Sequence, residues 1–286
     1  MKRLKTGDKI LIAVTSVVLL FSLFIMSPLS NRYISLAVMS VYSAVCAKDG
    51  LPQTEGIDLK IPGGGVFSKG WYPFVVTFVP GEDFGYSIGR DCTLTILYNV
   101  ADFDPLKGCS RLFDESSPYY SSFYGAYLVK TGDGAAYGFE YGEDGKITGI
   151  DLNEVADVAR YDYQNLVLSG FGLTKENAVF SFTKSGSDSG LSYAGSDGWY
   201  RVDADMTVNG CGHNRSGFTQ SYIAYGSPKN RVEEPLKPVK MYGRMYGKYL
   251  EDKQVSVFFY IIAADKDLLE ECDREILSKS KLGYRG

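Results

Sequence analysis

The chain has one histidine, His213, two residues after a cysteine in the run Gly210-Cys211-Gly212-His213-Asn214. A thiol becomes a nucleophile when a base lies within hydrogen-bond reach. Cys and His two apart share a face only if the backbone is extended, and the flanking glycines favour a turn. Catalytic pairs are usually assembled from distant segments. A turn holding an idle or disulfide-bonded cysteine is the simpler account. With one histidine, any Ser-His-Asp triad would have to use His213.

Carboxylates come in close pairs at Asp102/Asp104, Asp203/Asp205 and Glu233/Glu234. Acid–base hydrolysis of a glycosidic bond needs two carboxyl groups facing across a cleft, about 5–10 Å apart. Adjacency in sequence does not show that. Asp203 and Asp205 would share one face of a strand, and clustered oxygens suit Ca²⁺, but no EF-hand spacing accompanies them. Solvated acids on a sheet face give the same pattern.

The most regular stretch is 240–249, KMYGRMYGKY. As a strand it places Lys240, Tyr242, Arg244, Tyr246 and Lys248 on one face, with Met241, Met245 and Tyr249 on the other. Cations alternating with rings make a ladder in which each charge can sit on a ring. This is the binding site the sequence offers, and it would suit an anionic or sugar polymer of the cell surface. A solvent-facing edge strand uses the same residues, its lysines blocking aggregation. Gly243 and Gly247 oppose a helix here.

Beyond residue 50 the cysteines are Cys92, Cys109, Cys211 and Cys272. Outside the cytoplasm they allow disulfides. One at most is expected, either Cys92–Cys109 or Cys109–Cys211, with Cys272 a buried thiol on a helix face. No CxxC pair, phosphate-binding GxxxxGK[ST], dinucleotide fingerprint or HExxH occurs. The sequence therefore nominates no catalytic residue, metal site or cofactor. Asn214-Arg215-Ser216 is a glycosylation sequon.

These residues need elements to hold them, and the composition points to strands. The chain has 22 Tyr, 16 Phe and 32 Gly but only 2 Trp, and aromatic residues fit pleated surfaces while glycine serves tight turns. Alternating or strand-like runs fall at 57–61, 72–79, 93–100, 123–130, 136–141, 146–152, 165–171, 178–183, 199–208, 218–225, 239–249 and 255–263. Gly142-Glu143-Asp144-Gly145 is a hairpin signal, and 185–190 (SGSDSG) reads as a flexible loop. A helix is expected over 266–282, capped by Asp265, and a weaker one over 152–159. The fold class is mostly β: an antiparallel sandwich or open barrel with a C-terminal helix, preceded by an N-terminal transmembrane helix.

Residues 10–26 carry no charge and are long enough, at the short end, to cross a bilayer. Lys2, Arg3, Lys5 and Lys9 precede them, which places the N-terminus in the cytoplasm and the bulk outside. No good cleavage site follows, so the segment is read as an uncleaved anchor. A second apolar stretch, 33–47, is short for a span; it either packs on the domain or forms a shallow hairpin back to the cytoplasm. Pro28 should break the helix between them. The domains expected are a basic cytoplasmic 1–9, an anchor 10–27, a helical apolar segment and linker 28–65, and an extracytoplasmic β-rich domain 66–286. Residues 51–286 carry a net charge of −8, which argues against nucleic acid as a partner. The partners expected are the membrane through residues 10–27 and either a cell-surface polymer or a membrane protein. The functional expectation is binding or scaffolding by a membrane-anchored domain. The alternatives are a glycan hydrolase using carboxylates from distant strands, or an accessory subunit of a membrane complex.

Overall fold

A computed structural model of the protein describes residues 6–63, 70–104, 106–107, 109–163, 179–211 and 237–285. The strands expected at 165–171 and 218–225, His213, the sequon and Glu233/Glu234 lie outside the described residues. The helices are α1 (Thr6–Met26), α2 (Pro28–Cys46), α3 (Leu51–Thr54), α4 (Asp83–Ile88), α5 (Leu152–Asp162) and α6 (Lys266–Glu275). The strands are β1 (Ile57–Lys60), β2 (Val76–Phe78), β3 (Cys92–Val100), β4 (Phe103–Asp104), β5 (Cys109–Ser110), β6 (Phe123–Thr131), β7 (Phe139–Tyr141), β8 (Ile147–Ile150), β9 (Phe180–Tyr193), β10 (Ser196–Asn209), β11 (Pro238–Leu250), β12 (Val255–Ala263) and β13 (Lys281–Tyr284).

Seven strands form one antiparallel sheet in the order β2-β3-β6-β12-β11-β10-β9. Among the described residues it is open, with β2 and β9 as its edges, and does not close into a barrel. The continuous apolar run of β12 occupies the middle and is buried at every position. Burial on both faces is why that strand does not alternate. Residues paired across antiparallel strands share a face, so Arg244 and Tyr246 of β11 go with Asp203 and Arg201 of β10 and with Ile261 and Phe259 of β12. Helix α6 covers this face. Met245 and Tyr260 point the other way, toward α5, whose buried side includes Val155, Val158 and Ala159. Both helices start where expected: Asp265 accepts from Leu268 N–H at 2.9 Å, the cap read from the sequence, and α5 is capped by Asp151, which accepts from the Asn153 and Glu154 N–H groups.

Three elements differ from expectation. Residues 185–190 are not a loop but the middle of β9, paired with β10 through Asp188↔Arg201, Ser187↔Val202 and Gly186↔Asp203. Composition measures local preference, whereas the ladder to β10 supplies non-local hydrogen bonds, and an exposed edge strand accepts polar side chains. The β9–β10 turn is Ala194-Gly195, with φ of 49° and 82°. Both central residues are left-handed, as a tight two-residue hairpin requires. The terminal helix stops at Glu275, and Lys281–Tyr284 instead pairs with β1 through Ile57↔Tyr284 to Lys60↔Lys281.

The third difference is the extent of the second apolar segment, expected over 33–47, whose packing on the domain is one of the two courses expected for it. Helix α2 begins at Pro28 itself, the first helical position, where a missing N–H costs nothing. It then packs on the domain. Met39 is fully buried, Tyr42 stacks on Phe78, and the Ser43 hydroxyl accepts from the Thr77 N–H of edge strand β2 at 2.9 Å. Arg32 pairs with Asp102 at 2.8 Å. The helix thereby shields a sheet edge that would otherwise offer unpaired backbone groups.

Candidate functional site

The ladder residues do share one face of β11, but that face is occupied by the protein itself. Arg244 sits between β10 and α6 with its side chain only 13% exposed. Its Nε donates to Asp203 Oδ1 at 2.9 Å, Nη1 to Glu270 Oε2 at 2.8 Å and Asp273 Oδ2 at 2.9 Å, and Nη2 to Glu270 Oε1 at 2.9 Å. The guanidinium fork thus holds three carboxylates from two elements. Burial lowers the Arg244 pKa, but those carboxylates outweigh it and raise the value well above the ordinary one. The hydrogen bond from Arg244 holds the Glu270 carboxyl below its usual range.

Tyr246 completes the cluster. Its ring stacks on Tyr193 with centroids 3.8 Å apart, and its hydroxyl donates to Asp273 Oδ2 at 2.7 Å, while the Tyr193 hydroxyl donates to Asp273 Oδ1 at 3.1 Å. The outer members look elsewhere. Lys248 Nζ donates to the Asp197 carbonyl at 2.7 Å and lies 6.0 Å from the Trp199 ring. Lys266 of α6 sits 6.0 Å from the Tyr242 ring. Lys240 is exposed at one end. The cation–ring contacts therefore run between elements rather than along the ladder. Of the carboxylate pairs, Asp203 enters this network while Asp205 is exposed. Asp102 accepts from Phe103 N–H and pairs with Arg32, and Asp104 caps the turn at Leu106.

On the opposite face lies a cluster the sequence pattern did not single out. Asp162, at the last turn of α5, is buried against the sheet and its Oδ2 accepts from Tyr127 at 2.7 Å and Tyr260 at 3.5 Å. The two rings stack with centroids 4.0 Å apart. Burial pushes the Asp162 pKa up to about 7, against the two tyrosine hydrogen bonds, which lower it. Tyr260 also lines a small apolar cavity under α5 with Ala159, Val202, Met206 and Met245. A signal did exist: Asp162 continues the Val155, Val158, Ala159 stripe at helical spacing, placing an acid on the buried side. Likewise Asp273 follows Cys272 on the buried side of α6.

The cysteines are quiet. Cys92 and Cys211 are buried free thiols, so neither disulfide expected at Cys109 is made; the Cys109 side chain itself is outside the described residues. Cys272 is buried and free, as its helical position implied. Burial pushes the Cys92 thiol up to about 11 and that of Cys211 up to about 12, the latter against hydrogen bonds from Ser121 and Tyr163. Such thiols are poor nucleophiles because the thiolate is the reacting form. Among the described residues no group of three His, Cys, Asp or Glu is placed to hold a metal ion. No family model matches the chain, nor does any curated protein or solved structure.

Proposed function

We propose that the chain is a membrane-anchored domain that works outside the cytoplasm by binding or scaffolding. The observation that carries this reading is the coupling of anchor to sheet. Lys9–Met26 of α1 is an 18-residue apolar window with none of it buried, long and apolar enough to cross a membrane by length and composition. One residue beyond α1, α2 is fixed to the sheet through Met39, Ser43 and the Arg32–Asp102 pair. A sheet fixed to a spanning helix suits a platform presented at a set height above the bilayer. The cations upstream of α1 orient it with the N-terminus inside. Among the described residues, the faces left for a ligand include the exposed edge strand β9 and the outer end of the β11 ladder, around Lys240.

Convergence of Asp203, Glu270 and Asp273 is the one observation that favours a hydrolase instead. All three accept from Arg244, whose hydrogen bond holds the Glu270 carboxyl below its usual range. A catalytic acid on a glycosidic oxygen needs the opposite, a carboxyl kept protonated. Binding is therefore the stronger reading. Protease added to intact cells tests the topology: digestion of residues 51–286 without lysis is the expected result, and protection until lysis refutes the placement.

A further inference from the structure

We infer that the outer face of α2 rests in the interfacial zone of a lipid bilayer, so that the domain touches the membrane along a second helix. This rests on the reading of α1 as a membrane span. Among the described residues outside α1, ten large apolar side chains are exposed, and five of them are on α2: Leu29, Tyr33, Ile34, Val41 and Val45. The other five are scattered over separate segments. With Ala37 and Ala44, the α2 residues recur every three or four positions and form one stripe.

This helix is apolar on its outer side as well as on the side that packs on the domain, whereas a soluble surface helix turns its polar side outward. Here Ser30 and Ser35 are buried, and Ser43 bonds to β2. The helix's one cation, Arg32, is directed to Asp102 rather than along the stripe. The exposed Ser40 returns its hydroxyl to the Leu36 carbonyl at 2.7 Å, as Ser22 does to Val18 in α1. Such back-bonding satisfies a hydroxyl without water.

Position selects lipid over protein as the occupant. At 1.5 Å per residue an 18-residue window spans about 27 Å, close to the roughly 30 Å of a hydrocarbon core. Ser27 then falls at the edge of the hydrocarbon, and α2 starts at the next residue. At this corner the Phe24 and Tyr33 rings lie 5.8 Å apart, where aromatic residues favour the membrane–water interface. A helix with one apolar face that begins at the bilayer surface lies in the interface plane.

Photo-crosslinking of the full chain in cell membranes tests this, with p-benzoylphenylalanine placed in turn at Val41, Val45, Leu19 and Tyr141. Leu19 reports the anchor. Tyr141 is exposed on the β7–β8 ribbon, which packs near β9 and β10 at the end of the sheet away from α2. Lipid adducts at Val41 and Val45 are expected within about threefold of those at Leu19 and about tenfold above those at Tyr141. Using two positions keeps misfolding at either one from deciding the result. Lipid adducts at Leu19 but not at 41 or 45 overturn the inference and leave the anchor standing. That holds whether those sites give a dimer, a crosslink to another protein, or nothing. Absence of lipid adducts at Leu19 overturns the anchor reading and this inference with it.

Discussion

Arg244 and Asp162 illustrate two opposite ways of housing charge. Arg244 is a mostly buried cation whose donors meet Asp203, Glu270 and Asp273. Removing one partner from such a network leaves the others uncompensated, so Arg244→Ala is expected to cost about 3 kcal/mol in urea unfolding. Arg244→Lys should recover only part of this, because an ammonium cannot reproduce the fork. Asp162 is a buried acid with tyrosine donors and no cation partner among the described residues. Its folded pKa, about 7, lies above the ordinary 3.8. The folded chain therefore holds this proton more tightly than the unfolded chain. The associated stability is fully present below the ordinary value and is lost as pH rises through about 7. Glu270 slopes the other way: its depressed pKa contributes stability that is present above the usual range and lost as pH falls. Asp162→Asn removes the first slope while leaving an acceptor for Tyr127. Urea midpoints measured from about pH 4 to pH 8 should then fall less steeply for this variant than for the parent.

At the scale of elements, the contacts between strands and helices carry the fold. β3 and β6 approach so closely that a Cβ on Gly125 would lie 1.8 Å from the Leu97 carbonyl oxygen. Gly125→Ala must push apart two central strands, and a loss of about 3 kcal/mol or more, or failure to fold, is expected in thermal unfolding. Helix α2 depends on Met39 in the same manner. Met39→Ala leaves a void where the helix meets the sheet and should cost about 2–5 kcal/mol in the same assay. It should also increase proteolysis near residues 47–50, where the chain leaves α2, because a loosened α2 frees its C-terminal end.

The whole molecule combines a fully exposed apolar helix with a folded sheet. On the proposed reading, its placement in a bilayer depends on α1 staying apolar, since none of the Lys9–Met26 window is buried among the described residues. A charge at its centre opposes insertion by about 3 kcal/mol. Val17→Arg is therefore expected to move a large share of the chain from the carbonate-resistant membrane pellet to the soluble fraction. An unchanged pellet would mean that α1 is not what holds the protein at the membrane. Because the sheet has two edges, one shielded by α2 and the other ending at β9 among the described residues, β9 is the side where a further strand could add.

By itself the sequence determined the features that arise from short-range patterning. The uncharged run became α1. Alternation located β11, apolar strand-like runs located β3, β6 and β12, and the Asp-Gly turn located the β7–β8 hairpin. The Asp265 cap placed the start of α6, and the weaker helix expected over 152–159 shares its start with α5. These signals survive because backbone geometry and side-chain periodicity act over a turn or a few strand residues. The sequence also put Lys240, Tyr242, Arg244, Tyr246 and Lys248 on one face, which is where they lie. Only the tertiary structure decided what that face meets. Glu270 and Asp273 come to Arg244 from a helix more than twenty residues away, and Asp162 meets Tyr127 and Tyr260 from separate strands. The same holds for β9, whose Ser-Gly-Asp run is strand only because β10 supplies its hydrogen bonds, and for β13, which β1 draws out of the terminal helix. Such partners are set by packing between distant segments, and no local pattern records which segment will arrive.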